Sequence, residues 1–494
     1  MHRVIDLTRI TSERLILQNH LDKVITLKTD VKEVQGRPTL LNDVSQDELG
    51  LFRSRNSRMT VITDTKILDA WKKKRLEVPS FLEAGPRTDL RFNPHRVHAA
   101  IVTTGGLAPG LHCVIHSIVK RHWHTYRIDQ ADGRIYGVYN SFKGLCKLAD
   151  NLVPLNPNKT EEWLDQGGSK LGIVRYLHND DKEGDESIAG MADDITANLK
   201  YNDIDILYVL GGDGSMRVAH EIALKNPTLS VIGIPKTMDN DILWVWQSFG
   251  FNTAVEQATR VINTLRSEAE ATRRIGLIQL FGAESGFVAA NATLASGHVD
   301  AVLIPEVFKA LKVGEAQIYL NKIVEHIEQR VRNNRRHNPH AVMVVAEGVG
   351  TYLEKMEACI EGANVRKTTF IDQLSELLRK RIRDAHAQRV PVFNNEPRHY
   401  IRSAPANAHD QIYCERLGAL AVDNALAGFT DCMISKWLTE FVLVPMDMVT
   451  RGQKSIPVNG MFWKQVVSST GQPLSPAERV VPSVVNQTKR TGRK

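Results

Sequence analysis

The chain repeatedly sets a short, continuous apolar run immediately before a glycine-rich or acidic turn, and this limits its fold more than any other feature. The runs are Val97 to Thr104, Ile204 to Leu210, Val231 to Ile234, Ile275 to Phe281, Ala301 to Ile304 and Ala341 to Ala346, with helical patterns between them. Continuous rather than alternating apolarity suits strands buried on both faces, and intervening helices suit parallel pairing. The sequence therefore predicts an α/β fold with parallel sheets. Open sheets of that kind hold ligands outside the carboxyl ends of their strands, so the chemistry is expected in the turns. Gly105-Gly106 is expected to open a helix with Leu111, Ile115 and Ile118 on one face. Val313 to Asn338, with Leu320, Val324, Ile327 and Val331 at helical spacing, reads as a packed helix.

Composition excludes several classes. Hydrophobic residues at 42% and charged residues at 24% fit a globular protein, not a disordered or fibrous one. The formal charge of +7 is spread over scattered Lys and Arg without an aromatic RNA-binding signature, so nucleic acid is not expected, and an anionic small substrate explains the charge equally well. Arg330 to Arg336 and Lys489 to Lys494 read as solvated surface, and His122 with His124 as a surface cluster at a helix end. Cys113, Cys146, Cys359, Cys414 and Cys432 are odd in number and form no CxxC pair, which indicates neither a disulfide framework nor a zinc site. There is no apolar stretch of the roughly 18 residues a membrane span needs, no signal core and no Ser-Lys-Leu ending; no membrane association and a cytoplasmic location are expected.

Three turns carry residue types suited to phosphate chemistry. Gly105-Gly106-Leu107-Ala108-Pro109-Gly110 lets main-chain amides approach a phosphate ahead of a helix, although a glycine turn after a strand is as often only a tight connection. Gly211-Gly212-Asp213-Gly214-Ser215 adds a carboxylate able to hold magnesium beside phosphates cradled by the amides; a structural Asx-turn is the alternative. Pro235-Lys236-Thr237-Met238-Asp239-Asn240-Asp241 sets two carboxylates two residues apart, one suited to take a hydroxyl proton and one to sit beside a metal. Arg175, just beyond Gly167 to Gly172, is placed to meet a transferring phosphate or to be an ordinary surface arginine.

Taken in order, these turns resemble the 6-phosphofructokinase family, whose pattern runs glycine-rich loop, GGDG, then PxTxDND. The likeness continues through Phe281-Gly282-Ala283-Glu284-Ser285-Gly286-Phe287, Ala346-Glu347-Gly348 and Ile401-Arg402-Ser403-Ala404-Pro405-Ala406-Asn407, and spans roughly Val97 to Trp437. It implies two Rossmann-like domains. Residues 97–250, with part of 410–440, would bind ATP and residues 251–409 the sugar phosphate, with an N-terminal extension over 1–96 and a tail over 441–494. Gly214, where pyrophosphate users carry an acid, implies ATP as donor. Lys236 combined with GGDG is similar to the atypical ATP-dependent members related to the pyrophosphate-dependent group.

By position, the resemblance implies that Gly105, Arg175, Tyr176, Gly212, Asp213, Gly214 and Ser215 hold ATP and that Asp213 and Asp241 face Mg²⁺. It gives Asp239 the role of base, with Thr237 and Arg175 in the catalytic set. Thr237, Met238, Asp239, Arg274, Phe281, Gly282, Ala283, Glu347, His399, Tyr400 and Arg402 would hold fructose 6-phosphate. One or both of Arg274 and Arg402 would reach in from a neighbouring subunit, so a homo-oligomer, tetramer or dimer, is implied. Ala283 departs from the family's usual Met-Gly-Arg, and His112 and His399 replace a common asparagine and tyrosine. A pyrophosphate-dependent transferase and a catalytically silent sugar-phosphate sensor are the competing readings.

Overall fold

The computed structural model describes residues 29–61, 65–73, 75, 78–174, 185–333, 338–355, 369–386 and 390–476. The chain divides into two compact units: Met1–Ala258 with Pro397–Ser455, and Thr259–Glu396 with Ile456–Lys494. Each is an α/β unit built on a sheet with a parallel core, as the apolar runs require.

The first unit holds a nine-stranded sheet. Its spatial order is Arg58–Thr60, Ser80–Glu83, Glu440–Pro445, Cys432–Trp437, Ser230–Pro235, Ile206–Gly211, His98–Thr103, Arg134–Val138 and Leu152–Pro154. The five strands from Cys432–Trp437 to Arg134–Val138 are parallel, and the outer ones are antiparallel. Every residue of Ile206–Gly211 and Ser230–Pro235 is buried, which explains their unbroken apolar sequence. Helix Leu111–Lys120 buries Leu111, Ile115 and Ile118 and packs against Ala408–Leu426, while Asp185–Tyr201 packs against Asp213–Lys225.

The second unit has four parallel strands, ordered Ala301–Leu303, Ala341–Ala346, Ile275–Leu280 and Val392–Asn395. The packed helix runs over Val313–Asn333 and buries Leu320, Val324, Ile327 and Val331.

The unit boundaries depart from the sequence expectation of an arm over 1–96 and a tail over 441–494. Ser80–Glu83 pairs with Glu440–Pro445, Leu82 opposite Leu443, and Phe81 is buried edge-on to Trp244 and Trp437 at 5.6 and 6.2 Å. Ser80–Glu83 and Glu440–Pro445 therefore belong to the first sheet, while the chain from Ile456 onward falls in the second unit. His399 to Arg402 likewise fall in the first unit, because the chain returns to it at Pro397.

The surface cluster expected at the end of the first helix holds for His124, which is exposed, but not for His122. Arg121–Thr125 forms a π-turn that directs His122 inward, where it is fully buried with Nε2 2.9 Å from the Tyr208 hydroxyl. Burial pushes its pKa down to about 3.

Candidate active site

In the first unit three turns leave the carboxyl ends of three adjacent strands, His98–Thr103, Ile206–Gly211 and Ser230–Pro235. Pro235 lies in register with Gly211, and Leu210 with Thr103, so the turns start at one level. Neighbouring strands are about 5 Å apart, which keeps all three within reach of one triphosphate. The sheet thus brings together Gly105, Gly212 to Ser215 and Thr237 to Asp241.

The second turn feeds straight into helix Asp213–Lys225, with Gly212 as its N-cap and Asp213 as its first residue. The free amides of that first turn, and the positive end of the helix dipole, face the sheet edge where a phosphate would lie. Gly211 has to be glycine: a Cβ would sit 2.3 Å from Ser215 Cβ and 2.7 Å from Thr104 Cγ2. Gly105 holds φ +82 in the first turn, which is left-handed backbone suited to glycine. Lys236, buried, donates its ammonium to the Gly106 carbonyl and so ties the third turn to the first.

The third turn is held from within. The Thr237 hydroxyl bonds Asp241 Oδ1 at 3.1 Å and accepts the Asp239 main-chain N–H at 3.1 Å, while Met238 is buried beneath. Burial, together with the charges of Asp239 and Asp213, raises the pKa of Asp241. Carboxylates arranged so that they oppose one another's ionisation are a cation's natural setting. Among the described residues no three His, Cys, Asp or Glu side chains converge on a closed metal cage. The fit is instead to an ion of the Mg²⁺ type, which takes one or two carboxylates and completes its shell with phosphate oxygens and water.

Arg175 and Tyr176 lie outside the described residues. The approach to them is fixed, because His112 Nδ1 meets the Gln166 carbonyl at 2.8 Å and its Nε2 accepts the Lys170 N–H at 3.0 Å. Since Gln166 offers only an acceptor and Lys170 only a donor, the ring is the neutral Nδ1–H tautomer. Gly167 packs against the carbonyl of Ser403, directly after the short helix Arg398–Arg402 that carries His399, Tyr400 and Arg402. Arg402 is partly buried, whereas His399 and Tyr400 are exposed.

In the second unit, Phe281, Gly282 and Ala283 follow Ile275–Leu280, and Glu347 follows the adjacent strand Ala341–Ala346. The Glu347 N–H donates to the Leu280 carbonyl at 2.8 Å, so these residues share one sheet edge. Arg274 does not join them. It precedes Ile275–Leu280 and lies at the amino end of that strand, about 20 Å away at 3.3 Å per residue.

Sequence reasoning missed two supporting residues. Glu306, buried, accepts the N–H groups of Gly286 and Ile456 on Oε1 at 3.0 and 3.2 Å, and burial pushes its pKa up to about 7. It thereby anchors the end of the Phe281 to Phe287 loop. Lys454, buried, binds Asn240 in the third turn of the first unit. Neither belongs to a sequence pattern.

Glycine amides, a helix amino terminus and paired carboxylates at neighbouring strand ends are the arrangement of an α/β phosphotransferase. A family model described as phosphofructokinase matches residues 98–425. The ATP-dependent 6-phosphofructokinase of Borreliella burgdorferi is 36% identical over 80% of this chain and 85% of its own length. That of Amycolatopsis methanolica is 36% identical over 81% and 84%, and ATP-dependent 6-phosphofructokinase 7 of Arabidopsis thaliana is 35% identical over 80% and 77%. Among solved structures, a pyrophosphate-dependent phosphofructokinase from Marinobacter aquaeolei shares the fold, with TM-score 0.57 and 17% identity over 77% of this chain and 92% of that one. The chain belongs to the phosphofructokinase family.

Proposed function

We propose that this protein is an ATP-dependent 6-phosphofructokinase that transfers the γ-phosphate of ATP to the 1-hydroxyl of fructose 6-phosphate, giving fructose 1,6-bisphosphate. The observation that carries this reading is the adjacency of the Gly212 to Ser215 turn, with glycine at 214, to the turn bearing Asp239 and Asp241. The donor site then has main-chain amides where charge accumulates and no acidic side chain at 214 to repel an α-phosphate.

Asp239 takes the proton of the sugar 1-hydroxyl as its oxygen attacks the γ-phosphorus, and the bond from that phosphorus to the ADP oxygen breaks. Amides of Gly212 to Ser215 receive the phosphate charge, Arg175 adds a guanidinium to it, and Thr237 orients Asp239. Asp213 and Asp241 would hold Mg²⁺, whose charge offsets that of the phosphates. Phe281 to Ala283, Glu347, His399, Tyr400 and Arg402 would bind the sugar phosphate. The position of Arg274 at the opposite end of its strand favours a role across a subunit boundary, and with it a homo-oligomer. We place the enzyme in the cytoplasm.

Initial rates with ATP and with pyrophosphate, measured side by side on fructose 6-phosphate in magnesium, test the donor. ATP should be used and pyrophosphate not; the reverse preference would overturn the role given to Gly214, and silence with both would leave the sensor. Asp239→Ala should lose roughly 10²- to 10⁴-fold in turnover with nucleotide affinity little changed. Near-full turnover in that variant would remove Asp239 from the role of base.

A further inference from the structure

The segment that ends the first unit, Arg451 to Ser455, touches both acidic turns. Gln453 forms an antiparallel bridge with Ile242, and its side-chain amide donates to Asp213 Oδ2 at 3.2 Å. The next residue, Lys454, donates its main-chain N–H to the Asp241 carbonyl at 2.6 Å. Its side chain is only 5% exposed, and the ammonium donates to Asn240 Oδ1 at 2.9 Å and to the carbonyls of Val245 and Trp246 at 2.7 and 3.2 Å.

That loop has reason to need an internal latch. Asn240 and Trp244 hold φ +55 and +62, left-handed values uncommon for residues with a side chain, and a bulky Trp there is a marked outlier. Asn240 Oδ1 also accepts the Ser248 N–H at 3.1 Å, so one amide oxygen links the lysine to the far end of the loop. Burying an ammonium is costly, and an apolar side chain would fill the same space at less expense. Here the lysine's donors are aimed at the backbone curve that follows Asp239.

We propose that Gln453 and Lys454 are positioning residues for phosphoryl transfer, fixing the turn that bears Asp213 relative to the turn that bears Asp239 and Asp241. The dipeptide acts through those acids and touches no substrate, and the inference rests on the roles given to them above. Gln453 orients the carboxylate on the nucleotide side. Lys454 sets the curve from which the base projects.

The experiment compares Lys454→Met, Lys454→Ala, Gln453→Leu and Asp239→Asn in the full chain, by steady-state kinetics and by calorimetric binding of ADP in magnesium. Lys454→Met should lose kcat by roughly 10²-fold, the order expected for a misplacement near 1 Å, while KM for both substrates and the affinity for ADP change by less than about threefold. The kcat of Lys454→Ala should climb with added propylammonium, whereas Lys454→Met, with the space filled, should not respond. A purely structural role would give neither the split nor the rescue. Folded Lys454→Met with wild-type kcat overturns the proposal. If Lys454→Met does not fold, Gln453→Leu at an exposed position decides: a loss of kcat of roughly threefold or more is expected, a discounted share of a hydrogen bond to a charged group, and unchanged kinetics overturn the proposal. Asp239→Asn separates the two levels. If it is inactive while the Lys454 and Gln453 variants are unimpaired, only the positioning role fails; if it keeps turnover, the roles of the acids fail and the positioning role with them.

Discussion

Thr237 and Asp241 are joined across the third turn by a 3.1 Å hydrogen bond from the hydroxyl to Oδ1, and the same hydroxyl accepts the N–H of Asp239. One side-chain oxygen thus holds the Asp241 carboxylate and the stretch of backbone that carries Asp239. Thr237→Val keeps the shape and removes both bonds, one of them to a charged group. A loss in kcat of roughly tenfold or more is expected, with Thr237→Ser recovering most of it and the melting temperature little changed. Steady-state kinetics alongside thermal melts check this, and wild-type kcat in Thr237→Val would detach the hydroxyl from catalysis.

His122 makes stability depend on pH. Its imidazole is buried neutral beside Tyr208, with a folded pKa of about 3, while the unfolded chain takes up that proton near the ordinary value of about 6.5. The depressed folded pKa means that the contribution is complete above about pH 6.5 and is lost as pH falls from there toward 3. His112, also lowered by burial, adds a loss of the same sign. His122→Gln keeps a partner for the Tyr208 hydroxyl and removes one titration. Melting temperatures taken between about pH 7 and pH 4.5 should therefore fall less steeply in the variant than in the parent. Equal slopes would contradict a buried, neutral His122.

The central strands were legible because burial on both faces forces unbroken apolar sequence, as in Ile206–Gly211. Arg134–Val138 and Cys432–Trp437 escaped that pattern: the first begins with an exposed arginine and contains Gly137, and the second carries Ser435 and Lys436 toward a hairpin. The acidic turns were legible because glycines and carboxylates at a strand end have few other uses. Supporting residues were not. Lys454 acts on Asn240 from 214 positions away, and Glu306 on Gly286 from 20, so neither leaves a local signature. Arg274 and Arg402 could be chosen among the arginines only by resemblance. Their separation into an amino-terminal strand position and a helix of the first unit follows from topology, which spacing does not encode.

Ala283 stands at φ +47 in the turn closed by the 2.7 Å bond from the Ser285 N–H to the Gly282 carbonyl. Left-handed backbone costs an L-residue with a Cβ about 1 kcal/mol, and the site is exposed, so the methyl group contributes little packing in return. Ala283→Gly relieves the strain but also loosens the unfolded chain, and the two effects oppose each other. A net gain of about 0.5 kcal/mol is expected, seen as a higher urea midpoint with an unchanged slope, because strain relief in a turn alters no buried area. Ala283→Arg carries the same strain as alanine at an exposed position, so its midpoint should match the parent's. Its kinetics then report on charge alone: a higher kcat would show that phosphate stabilisation at this turn limits the present enzyme, and an unchanged kcat would show that other cations already supply it. A midpoint lowered by Ala283→Gly would place Ala283 outside the left-handed region.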